Sequence, residues 1–128
     1  ERFILLTKHA LQLEVENNSF VVRDFLNNGK LRHIKTLSGG QAFQAALSLA
    51  LALSESVQLH SPYISNFFFI DEGFGSQDKE SLSVVFETLR SLQKEGKIVG
   101  IISHVEELKE NIPIYIQVQN NQGMSVIQ

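Results

Sequence analysis

Two unbroken apolar runs, Phe67-Phe68-Phe69-Ile70 and Ile98-Val99-Gly100-Ile101-Ile102, flank one helical pattern and limit the folds open to this chain. Strands apolar at every position belong to sheets covered on both faces. Between the runs, Leu82, Val85, Phe86, Leu89 and Leu92 recur at helical spacing and fall on one stripe. Asp78 is placed to cap that helix, and Gly96 to end it. Strand, helix and strand in this order predict a right-handed parallel βαβ unit. The fold class is therefore α/β.

Upstream the pattern changes. Residues 1–8 read as the end of a helix entering from a preceding segment. Leu11, Leu13 and Val15 alternate with Gln12, Glu14 and Glu16, the period-two signature of a half-buried strand. Asn17-Asn18-Ser19 is a turn cluster, and Phe20 to Phe25 reads as the next strand. Asn28-Gly29 is a strong hairpin signal, because both central residues of a type I′ turn need positive φ. Lys30 to Ile34 returns as a third strand, so residues 11–35 form an antiparallel meander. Gln41 to Ser54 is helical and apolar on nearly every face, which predicts burial on most sides. Ser61-Pro62 marks a loop. Val105 to Asn111 reads as a short helix. Ile112 to Val118 and Met124 to Ile127 flank Asn120-Asn121-Gln122-Gly123, which predicts a C-terminal hairpin. The 128 residues suit a single domain, with 36–128 as its main lobe.

Composition removes several function classes. The chain is 43% hydrophobic, enough to bury a core. Net charge is −3 and no basic block stands out, so a continuous nucleic-acid face is not predicted for this chain alone. The absence of cysteine excludes disulfides and thiolate metal sites. No apolar run reaches membrane-spanning length and no signal peptide is visible. A soluble, cytoplasmic protein is the expectation. Glu1 in place of an initiating Met predicts a fragment or a processed chain.

Two motifs carry chemistry. Ser38-Gly39-Gly40 stands immediately before the apolar helix. Consecutive glycines let backbone approach a ligand, and the first amides of a helix lack internal acceptors and carry the positive end of its dipole. Such a corner suits a phosphate oxygen. A serine N-cap with a glycine-rich turn gives the same pattern without a ligand. Asp71-Glu72 ends the first apolar run, at the carboxyl edge of a sheet, where α/β folds bind ligands. Carboxylates there need a cation or donors, and Mg²⁺ takes one or two of them together with waters and substrate phosphates. Asp71 would hold Mg²⁺ through water, and Glu72 would polarise the water that attacks a γ-phosphate. A solvated Asp-Glu-Gly turn is the other reading. His104 follows the second run and is predicted on the same edge, where it can donate to a phosphate oxygen or orient water. His9, His33 and His60 read as surface or packing residues.

Taken in order, Thr36-Leu37-Ser38-Gly39-Gly40-Gln41, Phe68 through Asp78, and Ile102-Ser103-His104 resemble the signature motif, the Walker B strand with its D-loop, and the histidine switch of ATP-binding-cassette ATPase heads. The resemblance runs from about Val22 to Val105 and is to the SbcC-like branch, related to the structural-maintenance-of-chromosomes (SMC) proteins. Membrane transporters of the wider family usually carry Pro where this chain has Gly73. Gln77 departs from the usual Leu before the aspartate.

The resemblance implies roles. Ser38, Gly39, Gly40 and Gln41 would meet the ATP held by an opposite head, Asp71 would serve Mg²⁺, Glu72 the attacking water, and His104 the γ-phosphate. Asp78 would belong to the loop that couples two heads. No G-x-x-x-x-G-K-[ST] occurs: Gly29-Lys30 runs into Leu31, and Gly96-Lys97 into Ile98. The family places that P-loop in an N-terminal half, beyond a long coiled coil that would meet the head at residues 1–8. The implied protein is an SbcC-like ATPase subunit of a nuclease that processes double-stranded DNA ends for repair. Its partners are the P-loop half, a second head and an SbcD-like nuclease. It is expected in the cytoplasm and on the nucleoid when bound to DNA, with this chain alone inactive. Another SMC or recombination-type cassette ATPase, or a non-catalytic interaction module, is the alternative.

Overall fold

The computed structural model describes residues 1–60, 67–121 and 124–127. Helix α1 (Arg2–Leu6) precedes an antiparallel meander of β1 (Leu11–Glu16), β2 (Ser19–Asp24) and β3 (Lys30–His33). The long α2 (Gly39–His60) leads to β4 (Phe67–Asp71), α3 (Lys79–Lys94) and β5 (Ile98–Ile102). Strands β4 and β5 pair in parallel, Phe67 opposite Ile98 and Asp71 opposite Ile102, which completes the predicted βαβ unit. A short α4 (Glu107–Asn111) and the hairpin β6 (Val118–Asn121) and β7 (Met124–Ile127) follow. Among the described residues no helix is long and apolar enough to cross a membrane. Ser61-Pro62, the side chain of His60 and the Gln122-Gly123 turn lie outside the described residues.

The main core forms where α3 lays its stripe over β4 and β5. Leu82, Val85, Phe86, Leu89 and Leu92 are all buried, packed with Ile70, Leu47 and Leu51. Each such side chain removed from water contributes roughly 1.5–3 kcal/mol. Asp78 caps α3 through its carboxylate and the Ser81 amide at 2.7 Å. Gly96, at φ +82°, takes the left-handed position after the last turn. A smaller core of Phe3, Leu11, Val22 and Ala45 joins the meander to α2. An Arg2–Glu55 ion pair and the buried Thr7 hydroxyl, which accepts from the Leu11 amide at 3.1 Å, fasten α1 to both sides.

The turn predicted at Asn17-Asn18 is found, both residues at positive φ and directly joining Glu16 to its partner Ser19. Four expectations are corrected. Asn28-Gly29 also has positive φ at both residues, but closes a longer loop. There the Asp24 carboxylate accepts from the Leu26 amide at 3.1 Å and starts a 3₁₀ turn over Phe25–Asn27. The hairpin arm predicted from Ile112 begins only at Val118. Among the described residues the sheet is covered on one face alone. Ile70 is buried and Phe68, Val99 and Ile101 pack on the core, whereas Phe67 (54% exposed), Phe69 (67%), Ile98 and Ile102 stand open. Helix α2 is likewise open along Ala42, Ala46, Ala50, Leu53 and Val57, so it is not buried on most sides.

Candidate functional site

Parallel pairing brings both motif-bearing strand ends to one rim. Asp71 is the last residue of β4, and the Glu72 amide extends the ladder by donating to the Ile102 carbonyl at 2.9 Å. Glu72 then turns into the left-handed region at φ +62°, which costs a non-glycine residue roughly 1–3 kcal/mol. Gly73 follows at φ +99°. A proline, with φ locked near −65°, is excluded there. The turn sends the Glu72 carboxylate across the end of β5. Its two oxygens lie 3.1 and 3.0 Å from His104 Nδ1. With its proton on Nδ1, the imidazole donates to Glu72 and its Nε2 remains for another partner.

Asp71 shares the rim and is exposed. Among the described residues its carboxylate carries no hydrogen bond or ion pair, and no cluster of three metal-ligating side chains occurs. A single hard carboxylate at a strand end fits Mg²⁺, which draws its other ligands from water and phosphate.

The glycine corner is built separately. Ser38 and Gln41 form a capping box: the Gln41 amide donates to Ser38 Oγ at 3.3 Å, and Gln41 Oε1 accepts from the Ser38 amide at 3.2 Å. Gly39 and Gly40 therefore hold the first helical positions, where amides have no intrahelical acceptor. The serine cap and the open amides coexist here. The glycines also make room for the chain itself. A Cβ on Gly40 would lie 2.9 Å from the Ser76 carbonyl oxygen. The 3₁₀ turn Phe74–Ser76, just past the carboxylates, thus rests directly on the start of α2. Phe74 is buried there between Phe43 of α2, 5.2 Å away, and Phe86 of α3, 6.4 Å away.

Two residues to which the sequence reading gave no role help to fix the corner. Arg32 donates to the Thr36 carbonyl at 2.9 Å and to Asp24 at 3.1 Å, tying the segment before Ser38 to the meander. Gln77 donates to the Gly40 carbonyl at 3.0 Å. A polar cleft of about 230 Å³ opens beside them, bordered by Lys8, Ser38, Gln41, Gln77, Asp78 and Glu80. The Asp78 carboxylate is held below its usual range, first by the Ser81 backbone amide and then by the Ser81 hydroxyl. No hydrogen bond among the described residues joins Ser38 to Glu72 or His104. The carboxylate–histidine rim and the glycine corner are distinct places, linked through Phe74–Gln77.

Comparison with known proteins gives the family. Residues 9–91 match the family model described as SbcC/RAD50-like, Walker B motif. The chain belongs to that family. Over 122 residues it is 48% identical to the SbcC polypeptide of the SbcCD nuclease from Staphylococcus epidermidis, with 94% of this chain but only 12% of that protein covered. The chain thus spans about an eighth of the length of the curated relatives it matches. Among solved structures, the SMC head domain from Thermotoga maritima superposes with a TM-score of 0.68 at 23% identity, over 99% of this chain and 44% of that one. A chain from a study of ATP-driven dimerization and DNA-stimulated activation of SMC ATPases gives 0.69 at 20% identity, over 98% and 76%. The fold is that of an SMC-type ATPase head lobe, as the motifs predict.

Proposed function

We propose that this chain is the signature-bearing lobe of an SbcC-like ATPase head within a cytoplasmic protein that processes double-stranded DNA ends. The observation that carries the proposal is the Glu72–His104 contact beside the free Asp71 carboxylate. It pairs a base with a polar orienter at the end of the central strands. Bound there with ATP, Mg²⁺ would neutralise phosphate charge, and Asp71 would hold it. Glu72 accepts a hydrogen bond, and as base the proton, from the attacking water, and His104 fixes the Glu72 carboxylate while its Nε2 faces the γ-phosphate.

The P-loop is supplied by an N-terminal half of the same head. The open face of Phe67, Phe69, Ile98 and Ile102 supports this, since an apolar sheet face of that kind calls for cover. The amides of Gly39 and Gly40, with Ser38, bind the γ-phosphate of ATP held by a second head. Two heads so joined sandwich two nucleotides, and hydrolysis parts them. The name of the staphylococcal relative, part of a nuclease, supports an SbcD-like nuclease as the further partner. The dimerization studied in the related SMC ATPase supports the head–head arrangement.

The test is Ser38→Arg in the complete protein. The guanidinium fills the phosphate corner, so ATP-driven dimers should vanish in sedimentation while a single head still binds ATP. Dimers that persist with ATP would overturn the cross-head role.

A further inference from the structure

The loop between β2 and β3 carries the chain's one Asn-Gly pair, Asn28-Gly29. Such a pair has chemistry of its own. A main-chain amide nitrogen can attack the Cγ of the asparagine before it, and glycine permits this best, having no side chain to shield its nitrogen or restrict its backbone. Asn28 is exposed. Among the described residues no atom beyond its chain neighbours stands within 4 Å of where a Cβ on Gly29 would lie. Burial therefore does not protect the pair; backbone conformation does. Asn28 holds φ +52° and ψ +34°, which turns the Gly29 nitrogen to nearly the opposite side of the Cα–C bond from Cβ. Attack needs a rotation that swings this nitrogen round towards Cβ. Two hydrogen bonds hold Gly29 against it. Its amide donates to the Asp24 carbonyl at 2.8 Å, and its carbonyl accepts from Arg23 Nη1 at 3.0 Å. Arg23 is in turn fixed by both Glu14 oxygens, at 2.6 and 2.9 Å.

We propose that Asn28 is a site of spontaneous covalent modification, deamidation, which the folded meander holds off through these two bonds and permits when the loop opens. In the first step the Gly29 nitrogen bonds to Asn28 Cγ and the Cγ–Nδ2 bond breaks. The amide proton of Gly29 leaves with the side-chain nitrogen as ammonia, and a cyclic imide remains. Water then opens the ring at either carbonyl, to aspartate or to isoaspartate. Isoaspartate carries the main chain through Cβ and adds one bond between β2 and β3. Lys30 then loses its place opposite Asp24, and Arg32 its hold on Thr36, directly upstream of Ser38. The modification is independent of the nucleotide chemistry proposed above.

The experiment incubates the complete protein in mildly alkaline buffer, native and in urea. The peptide that contains Asn28 is followed by mass spectrometry for the exchange of amide for carboxyl, with isoaspartate located by electron-transfer fragmentation. In urea Asn28 is expected to convert ahead of the chain's other asparagines, to both products. In the native protein its conversion should be slower by at least about tenfold, because only the opened fraction reacts. Arg23→Met removes the bond to the Gly29 carbonyl and should speed native conversion at Asn28 by roughly fivefold, with Asn18, in the other turn of the meander, unchanged. Equal rates at Asn28 in native protein and in urea, or no conversion in urea, overturn the proposal, and that comparison needs no variant. Aspartate without isoaspartate overturns the imide route. An Arg23→Met rate equal to wild type, or one that rises equally at Asn18 through general unfolding, overturns the local protection.

Discussion

His104 Nδ1 lies 3.0 Å from Glu72 Oε2, although the two residues are thirty-two positions apart and follow different strands. The contact exists because β4 and β5 run parallel in a register that ends both at one level. It leaves Glu72 with a defined direction, which the base role proposed above requires. Glu72→Gln keeps the shape and removes the basicity. In the complete protein, turnover should fall by about 10²–10⁴, equal to roughly 3–5 kcal/mol of barrier, with ATP-bound dimers accumulating. Unchanged single-turnover rates would remove Glu72 from the reaction.

Gly73→Ala tests the turn behind the rim. At φ +99° an added Cβ is strained, and it would lie 2.5 Å from the Phe43 ring. The backbone part costs about 1–2 kcal/mol and the overpacking about 1–3 kcal/mol. Tm should drop, and a Phe43→Leu background should recover the packing part but not the backbone part. Additive losses in that double-mutant cycle would contradict the contact.

Asp78 supplies a pH dependence with a definite sign. Its folded pKa is lowered by the Ser81 amide and hydroxyl. Its contribution to stability is then complete above the unfolded-state carboxylate pKa of about 3.9 and is lost as pH falls through the lower folded value. The stability gap between wild type and Asp78→Asn, followed by urea unfolding, should hold steady from neutral pH to about 5 and close in stronger acid. A gap unaffected by acid would mean the charge plays no part in the cap.

Much of this was legible in the sequence because it is periodic or local. The stripe from Leu82 to Leu92, the Asp78 cap and the Gly96 stop are set by neighbours a few positions away, and all are found. The shared rim of Asp71 and His104 followed from parallel strands alone. The Asn17-Asn18 turn is where the local pattern puts it, whereas Asn28-Gly29 closes a longer loop than the dipeptide alone indicates, because a side chain outside the pair, Asp24, decides the loop length. The uncovered sheet face was not legible either. Hydrophobicity states which residues seek burial, not whether this stretch of chain supplies the cover. Gln77 and Arg32 act across folded distance on backbone carbonyls, which leave no mark in side-chain patterns.

The stacked rings of Phe67 and Phe69, 6.1 Å apart on the open face, give the lobe an adhesive flank. Handled by itself it would meet its own copies aromatic to aromatic, and salts that strengthen apolar association would hasten clumping. The companion half proposed above would thus serve as a solubility partner as much as a catalytic one, and co-production is the natural route to material that stays dispersed.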